Sequence, residues 1–504
     1  MRITLIAVLS ALAIMIGGTA EAQIEDLAEQ PAEKAATEKE KEKDVSFAIH
    51  GYAQANIAVA RNDIGVKGNK WINSRYEVHR AGGTLQLELE GHATDVAHFF
   101  SAVQIEYNAT GEKTNFPSIY WPNVILPGLR YTYFQKNADF KRDELSKYPF
   151  INIRETYVDL LGNHVTFRAG QQIISWGEIE GIETPSDVII PWDYTTTSNY
   201  FEYARLGVVA ANLSFHFANQ QLQFLWIPLF QPNKLPLESV YARGVTGIKR
   251  PTFEVRNFEY AARLSGSITN NLRYGLGFLY GFDDMPDTKI RLIMTDNPMS
   301  LVGQFTDLYY NRVLVPTADL NIAVRDVLAW KLSANATFTH DFWNRKKRDS
   351  LAVLPAGGAT NLIQYNSNVI KKSTVTYLTG PESTNLFAKI YAGIYVGQQW
   401  VLRYAKQDSL SLAKPVLEGY GQKNQFKWML SANLQRYFLA NDTLDAQIRF
   451  ALYTDPKGKK WEYVIYPYLL YKFSNGVSTA LGFVFAKRQG DDRNMVISET
   501  RYSF

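Results

Sequence analysis

Cysteine is absent from this chain of 504 residues, and histidine is scarce. Without cysteine there are neither disulfides nor thiolate metal ligands. The seven histidines include one close pair in the sequence, His92 and His98, and no serine lies in a hydrolase-type motif. Because nucleophilic catalysis and zinc binding both depend on clusters of such residues, we expect no enzymatic activity, no cofactor and no bound metal.

Long hydrophobic runs are also lacking after the first residues of the chain. Arg2 precedes an apolar run over residues 3–16, and the small residues that follow end in Ala20-Glu21-Ala22. This order is typical of a signal peptide, and about 14 apolar residues are too few for a comfortable membrane anchor. No later stretch approaches the roughly 18 apolar residues of a membrane helix. The sequence therefore predicts export with a signal peptide at residues 1–22, and it excludes a helical membrane protein.

Apolar side chains are sparse in the next segment, residues 23–44. Eight acids and four lysines give it a net charge of −4. Such a segment buries too little apolar surface to fold alone, so we predict a solvated tail, with a helix as the alternative. The chain total is +4 and the charges of Arg2 and Glu21 cancel, so residues 45–504 carry the difference, +8.

Aromatic residues are plentiful in what remains, and apolar and polar residues alternate there. Phenylalanine, tyrosine and tryptophan make up 13% of the chain, although the mean hydropathy is only −0.21. Trp330, Lys331, Leu332 and Ser333 begin one alternating stretch, and residues 444–453 form another. A period of two indicates strands with one apolar and one polar face. Both a large soluble sandwich and a transmembrane β-barrel give this pattern.

The lengths of the connections distinguish these two folds. Short turns are predicted at 162–163, 219–220, 270–271, 325–326, 398–399, 441–442 and 475–476. Long loops are predicted at 62–76, 110–149, 177–203, 231–256, 283–308, 341–383 and 409–424, with shorter ones near 456–460 and 489–493. Short periplasmic turns and long extracellular loops are typical of outer-membrane barrels. We therefore predict an all-β, antiparallel transmembrane barrel of about 18 strands, with 16 possible, spanning residues 45–504.

The sequence SETRYSF at residues 498–504 ends on an aromatic residue, with Tyr502 and Phe504 on one face of a predicted strand. We expect this strand to close the barrel against the first strand and the two rings to lie in the periplasmic aromatic girdle. The ending resembles the C-terminal signature that the barrel-assembly machinery reads. The predicted partners are this machinery, outer-membrane lipid, lipopolysaccharide and a small-molecule solute, with no nucleic acid.

A second resemblance lies in residues 154–193. Its matching positions are Gly170, Gln171, Gln172, Trp176, Gly177, Glu178, Asp187 and Pro191. They resemble a family of uncharacterised proteobacterial outer-membrane barrel proteins, in which a strand ends in Gly-Arg-Gln and is followed by Trp-Gly-Glu and an Asp-to-Pro segment. Gln171 stands where arginine is more usual, and residues 205–236 also fit the family. The resemblance implies a porin-like barrel with a transport role and no established substrate.

Strict alternation places many charged residues on the luminal faces of the predicted strands. The predicted basic ladder is Arg168, Arg263, Arg273, Lys331, Lys389, Arg403, Lys427, Arg449 and Lys472. The predicted acidic wall is Glu88, Glu90, Glu106, Glu155 and Asp159. Rows of lysine and arginine select anions in pores; the alternative is that these charges pair and only rigidify the barrel. Alternation puts Arg154 on the lipid side, so we predict a β-bulge there.

The predicted loop at 177–203 is rich in acids and aromatics. Its candidate constriction residues are Trp176, Glu178, Glu180, Glu183, Asp187 and Asp193. Such a loop either folds inward and narrows the pore or forms an external cap whose acids bind divalent ions around lipopolysaccharide. The favoured function is a porin-like outer-membrane channel for passive or facilitated passage of small solutes, anionic or amphipathic organic molecules above all. A receptor or adhesin that binds through its long loops, or an outer-membrane hydrolase, is the alternative.

Overall fold

The alternating stretches fold into strands in a computed structural model. The structure describes residues 46–63, 66–67, 70–71, 74–94, 96–108, 150–179, 184–193, 204–233, 245–295, 301–325, 327–339, 349–354, 362–368, 373–383, 390–402, 426–439, 443–454, 461–473, 475–488 and 491–504. The signal peptide and the charged tail lie outside these residues. Among the helical segments of the described residues, none has the length and apolarity needed to cross a bilayer.

The strands of the first half are β1 (Ser46–Asp63), β2 (Val66–Lys67), β3 (Lys70–Trp71), β4 (Ser74–Thr94), β5 (Ala97–Asn108), β6 (Phe150–Leu161), β7 (Val165–Gln172), β8 (Val208–Phe217), β9 (Gln220–Ile227), β10 (Val245–Lys249), β11 (Glu259–Thr269) and β12 (Leu272–Phe282). Those of the second half are β13 (Asp287–Thr295), β14 (Leu301–Tyr309), β15 (Arg312–Arg325), β16 (Leu328–Thr339), β17 (Asp349–Leu354), β18 (Leu362–Asn368), β19 (Thr374–Ser383), β20 (Ile390–Val401), β21 (Phe426–Phe438), β22 (Leu444–Thr454), β23 (Trp461–Lys472), β24 (Val477–Arg488) and β25 (Asp491–Ser503). A short 3-10 helix, Val255–Asn257, precedes β11.

Eighteen of these strands form one closed antiparallel ring. Each pairs with the next barrel strand along the chain, and β25 pairs with β1 from Tyr52–Ser503 to Ala60–Met495. Phe504 continues this seam, because its backbone N–H and C=O bond those of Gly51 at 3.0 Å each. Closure leaves no exposed sheet edge in the ring. The predicted strand number and the predicted closure of the last strand on the first are both confirmed.

The predicted inside–outside alternation is confirmed on the strands that indicated it. On β16, Trp330 is 47% exposed, whereas its neighbours Lys331 and Ser333 are buried. On β22, Ile448 is exposed and Asp445 is buried. At these positions polar side chains therefore point into the barrel and apolar ones point out, the reverse of a soluble protein.

The bulge predicted at Arg154 is also confirmed. Ala102 of β5 pairs with Glu155 of β6, but the next residue, Val103, pairs with Ile153. Arg154 is thus the extra residue of the ladder. Because the bulge absorbs one residue, Glu155 points inward while the alternation of the preceding residues is kept.

One hairpin was predicted in the wrong place. Gln398 and Gln399 lie inside β20 and form no turn, and residues 374–383, assigned to a loop, form β19. The connection between these strands falls at 384–389, outside the described residues. Gly380 and Pro381 made β19 resemble a loop. Pro381 lacks an N–H, and it lies where the pairing of β19 with β20 is interrupted, between Thr379 and Glu382.

Four predicted loops contain strands of their own, and in the loop at 62–76 these are β2 and β3, which pair with each other. β10, β13, β14, β17 and β18 form a second, five-stranded sheet in the order β10-β14-β13-β18-β17. Its strands belong to the connections after β9, β12 and β16, and β10 pairs in parallel with β14. The sequence did not indicate this sheet, because the pairings of β10 with β14 and of β13 with β18 join segments far apart in sequence, and local periodicity does not specify such pairing.

Candidate functional site

The described residues of the connection between β7 and β8, 173–179, 184–193 and 204–207, contact the inside of the barrel and are called the inward loop below. Three successive inner side chains of β16 bind its backbone or side chains. Lys331 Nζ donates to the carbonyl of Glu178 at 2.7 Å, and Asn335 Nδ2 donates to the carbonyl of Pro185 at 2.6 Å. Between them, Ser333 Oγ accepts from the backbone N–H of Ser186 at 3.0 Å. The described part of the loop thus reaches from β7 to a wall six strands further round the ring.

Apolar contacts hold the same loop against the wall. Ile174, Trp176 and Ile189 pack in one cluster with inner residues of β8, β9, β11, β12 and β15. Ile179 packs in another cluster with inner residues of β19 to β22, including Tyr395. Trp176 also donates its indole N–H to Gln223 Oε1 at 2.9 Å. Since Trp176 is only 2% exposed and its one polar atom is bonded, it anchors the beginning of the loop.

Asp187 fixes the shape of the inward loop. Its carboxylate accepts the backbone N–H of Trp176 and the hydroxyl of Ser175, each at 3.1 Å. Arg205, near the end of the loop, lies 3.9 Å from the same carboxylate. Burial raises the pKa of Asp187, while Arg205 and the two hydrogen bonds oppose that rise. Thus one carboxylate joins the beginning, middle and end of the loop.

These contacts show what the residues of the Trp-Gly-Glu motif do in the folded loop. Trp176 and Asp187 come from separate parts of the motif, and the hydrogen bond between them joins those parts. A Cβ at Gly177 would overlap the side chain of Thr184, so this close approach needs glycine. The motif therefore folds the loop on itself. The backbone carbonyl of Glu178 anchors the loop on β16 by accepting the hydrogen bond from Lys331.

Three members of the predicted basic ladder form ion pairs inside the barrel. The pairs are Arg168 with Asp159 at 2.6 Å, Arg263 with Asp319 at 3.3 Å, and Lys331 with Glu382 at 2.6 Å. All six residues lie on inner faces by the strand register. In each of these three pairs, the negative charge of the carboxylate offsets the positive charge of the arginine or lysine. Asp319 and Lys331 also contact the inward loop, so two of the pairs support it.

Arg263 reaches Asp319 across an intervening strand. β11 and β15 are not neighbours, because β12 lies between them. Gly275 occupies the crossing point, where a Cβ would lie 2.5 Å from Arg263 Nη2. The missing side chain lets the guanidinium lie flat over β12. Nothing in the spacing of Arg263 and Asp319 along the sequence indicated this pair.

The other basic positions fall into two groups. Arg273, Lys427, Arg449 and Lys472 share the inner faces of β12, β21, β22 and β23 with buried residues. Lys427 lies 5.6 Å from the ring centre of Tyr453. Lys389 and Arg403 lie outside the described residues. In the structure, the row on β21 to β23 therefore consists of Lys427, Arg449 and Lys472.

The acidic positions lie together on the inner faces of β4, β5 and β6. The residues are Glu88, Glu90, Glu106, Glu155 and Asp159. Glu155 accepts the backbone N–H of Ile173 at 2.9 Å and so binds the start of the inward loop. Asp193 bonds Ala204 through its backbone at 2.6 Å. Glu180 and Glu183 lie outside the described residues.

The side chains exposed on the outside of the barrel indicate the environment that surrounds the protein. Large apolar side chains are exposed on strands around the whole ring, among them Ile49, Leu87, Val158, Phe215, Phe224, Leu276, Phe278, Ile322, Trp330, Ile394, Val396, Trp428, Leu434, Ile448, Leu469, Leu481, Phe485 and Val496. In water so large an apolar band would drive aggregation, whereas lipid solvates it in closed barrels. The chain is an outer-membrane β-barrel. Tyr502 and Phe504 lie at the end with short turns, their ring centres 6.1 Å apart.

Comparisons with known proteins give matches among solved structures. No family model matches the chain, and no curated protein matches its sequence. Among solved structures, OccAB4 of Acinetobacter baumannii is 9% identical, with a TM-score of 0.48 over 90% of this chain and 98% of that chain. OpdQ of Pseudomonas aeruginosa is 10% identical, with a TM-score of 0.45 over 92% and 98%. A loop-deletion mutant of OmpT, an outer membrane protein of Vibrio cholerae, is 10% identical, with a TM-score of 0.37 over 91% and 99%.

Several residues of the site escaped sequence reasoning. Gln223, Ser333 and Asn335 bind the inward loop, and Glu382 pairs with Lys331. Alternation already puts Ser333 and Asn335 on the polar face of β16. Their partners in the loop lie about 150 positions away in sequence, and no local pattern indicates such a contact.

Proposed function

We propose that the protein is an outer-membrane channel that passes small solutes and favours anionic or amphipathic organic molecules. The observation that carries the proposal is the inward loop, held inside the barrel by Lys331, Ser333 and Asn335. A segment fixed in the lumen reduces the cross-section open to a solute and so limits solute size. A barrel that served only as a membrane anchor would not need such a loop.

The distribution of charge supports a preference for anions. The pairs Arg263–Asp319 and Lys331–Glu382 brace the wall behind the loop, so we assign them a structural role. We assign the contact with solute to Lys427, Arg449 and Lys472, on the inner faces of β21, β22 and β23. In the strand register Arg449 lies opposite Asn433 and Tyr466, which are six residues from Lys427 and from Lys472 along their strands. The three cations are therefore spaced about 20 Å apart along the pore, which is more than the screening length of about 8 Å at physiological salt. Each of them raises the local concentration of a carboxylate or phosphate.

Aromatic side chains beside the basic row support an amphipathic solute. Arg449 pairs in the strand register with Tyr466, and Tyr468 lies two positions further along the inner face of β23. The two tyrosine rings are 5.9 Å apart. A solute with a carboxylate and an apolar body matches a cation beside such rings.

Single-channel conductance in planar bilayers tests the constriction. The double substitution Ser333→Ala and Asn335→Ala removes two anchors of the inward loop. We expect a larger and noisier conductance, because the freed loop no longer holds one position. Thr337→Ala, two residues further along the inner face of β16, is the matched control and should behave as the wild type. Equal conductance of the double variant and the control would refute the constriction, and a wild type that conducts no ions would refute the channel.

A receptor or adhesin is the second candidate function, and one observation favours it. Three connections of the barrel build the five-stranded sheet outside the ring, and paired strands give such a surface a fixed shape. A receptor would bind its target through this sheet without conducting. Replacing residues 349–368 with a short glycine–serine linker separates the two functions, because binding by whole cells would be lost while conductance would survive.

A further inference from the structure

Two histidines and a glutamate meet at the periplasmic end of the lumen. His92 of β4 lies directly opposite His98 of β5, close to the short turn that joins these strands. Glu90 lies two positions before His92, so all three side chains belong to the inner face. The imidazole rings stack with centres 4.6 Å apart. The sequence marked the two histidines as a close pair, and the fold adds the carboxylate.

The distances between these groups match those of metal ligands. Glu90 Oε1 lies 3.1 Å from His98 Nε2 and 3.4 Å from His92 Nε2. All three ligand atoms lie within 4.8 Å of one another. Bonds of about 2.0–2.1 Å to tetrahedral zinc place the ligand atoms about 3.3–3.4 Å apart. Small side-chain rotations therefore suffice to bring the distance between the ligand atoms of His92 and His98 to that value.

A second layer of contacts orients His98. Its Nδ1 lies 3.3 Å from Asp159 Oδ2, and Asp159 accepts two hydrogen bonds from Arg168, at 2.6 and 2.8 Å. Arg168 in turn lies 3.8 Å above the ring centre of Tyr157. A proton on Nδ1 directed at the carboxylate leaves Nε2 free to bind a cation. Metal-binding histidines are held in this way by carboxylates.

We propose that Glu90, His92 and His98 bind a divalent transition-metal ion of the zinc class, with Asp159 as the positioning residue for His98. Imidazole with carboxylate suits zinc, nickel and copper better than magnesium or calcium, which prefer oxygen ligands alone. Three protein ligands leave a fourth position for water. The side chain of His92 is 53% exposed, so an ion can enter from the periplasmic side. The site does not depend on the proposed channel.

The competing account is a polar cluster without metal, in which both histidines contact Glu90 and His98 also contacts Asp159. Equilibrium dialysis of the purified, EDTA-treated protein in detergent against zinc chloride, followed by elemental analysis, decides between them. The variants are His92→Gln, which changes an exposed side chain, and His98→Gln. His216→Gln removes a histidine of β8 that contacts Thr166 and is the matched control.

We expect about one zinc ion per chain in the wild type and in H216Q, and at least about tenfold weaker binding in H92Q and H98Q. Asp159→Asn should weaken binding although all three ligands remain. Cobalt(II) should give the visible absorption of a four-coordinate site in the wild type and lose it in H92Q. Heat-modifiable migration on gels reports that each variant is folded. Zinc binding that is absent from the folded wild type, or equal in the wild type and H92Q, overturns the proposal.

Discussion

A single buried carboxylate organises the inward loop. Asp187 is bonded by Trp176 and Ser175 and lies near Arg205, so its loss leaves a buried N–H and a cation with fewer partners. Leaving such groups unsatisfied costs about 1–3 kcal/mol. In Asp187→Ala we expect the loop to loosen, with faster protease cleavage inside it and a noisier conductance. Glu178→Gln is the control, since the backbone of Glu178 makes its anchor; equal cleavage in both variants would contradict this role.

The raised pKa of Asp187 predicts that the stability of the protein depends on pH. Burial raises the pKa of Asp187 from its ordinary 3.8, so the folded protein keeps this proton at a pH where the unfolded chain has lost it. Stability from this group is therefore fully present below pH 3.8 and decreases as the pH rises through the folded pKa. In Asp187→Asn this contribution disappears. We expect the heat-modification temperature of the wild type, relative to D187N, to rise as the pH falls towards 4, and a constant difference would contradict it.

At the scale of the strand, alternation assigns each charge to the pore or to lipid. Arg449 of β22 lies on the inner face, whereas Arg436 of β21 is exposed on the outer side and stacks on Phe438 with 4.6 Å to the ring centre. Arg449→Gln should shift the reversal potential in a salt gradient towards cation selectivity. Arg436→Gln removes the same charge from the outside and should not. If both variants keep the selectivity of the wild type, the basic row does not select anions.

The features that the sequence predicted correctly are those marked by the alternation of polar and apolar residues. It located barrel strands such as β16 and β22 and the bulge at Arg154, because a strand exposed to lipid on one side and lumen on the other shows a period of two. It misplaced β19, where Gly380 and Pro381 resemble a turn. It did not reveal the second sheet or the binding of Ser186 to Ser333. Those contacts join segments far apart in sequence, and only the closed ring brings them together.

The whole molecule is stabilised as a ring, so one seam holds its two ends together. β25 pairs with β1, and Phe504 adds two backbone hydrogen bonds to Gly51 at 3.0 Å each. Each such bond contributes about 0.5–1.5 kcal/mol net, and more where lipid excludes water as an alternative partner. The Phe504 ring also covers Gly51, where a Cβ would lie 2.9 Å from the ring edge. The seam therefore combines pairing with an aromatic contact at the periplasmic end.

Closure of the seam predicts an assembly phenotype. Deletion of Phe504 removes both bonds to Gly51, and Phe504→Ser removes only the ring, so we expect reduced outer-membrane levels in both and the larger loss in the deletion. Synthesis and export should stay normal, because the defect arises when the barrel closes. Phe473→Ser is the matched control: Phe473 is 49% exposed against 50% for Phe504, and it follows β23 at the same end of the barrel, away from the seam. Immunoblots of fractionated membranes measure the outcome. If the deletion reaches the wild-type level, or if F473S is as defective as F504S, then Phe504 has no special role in closure or assembly.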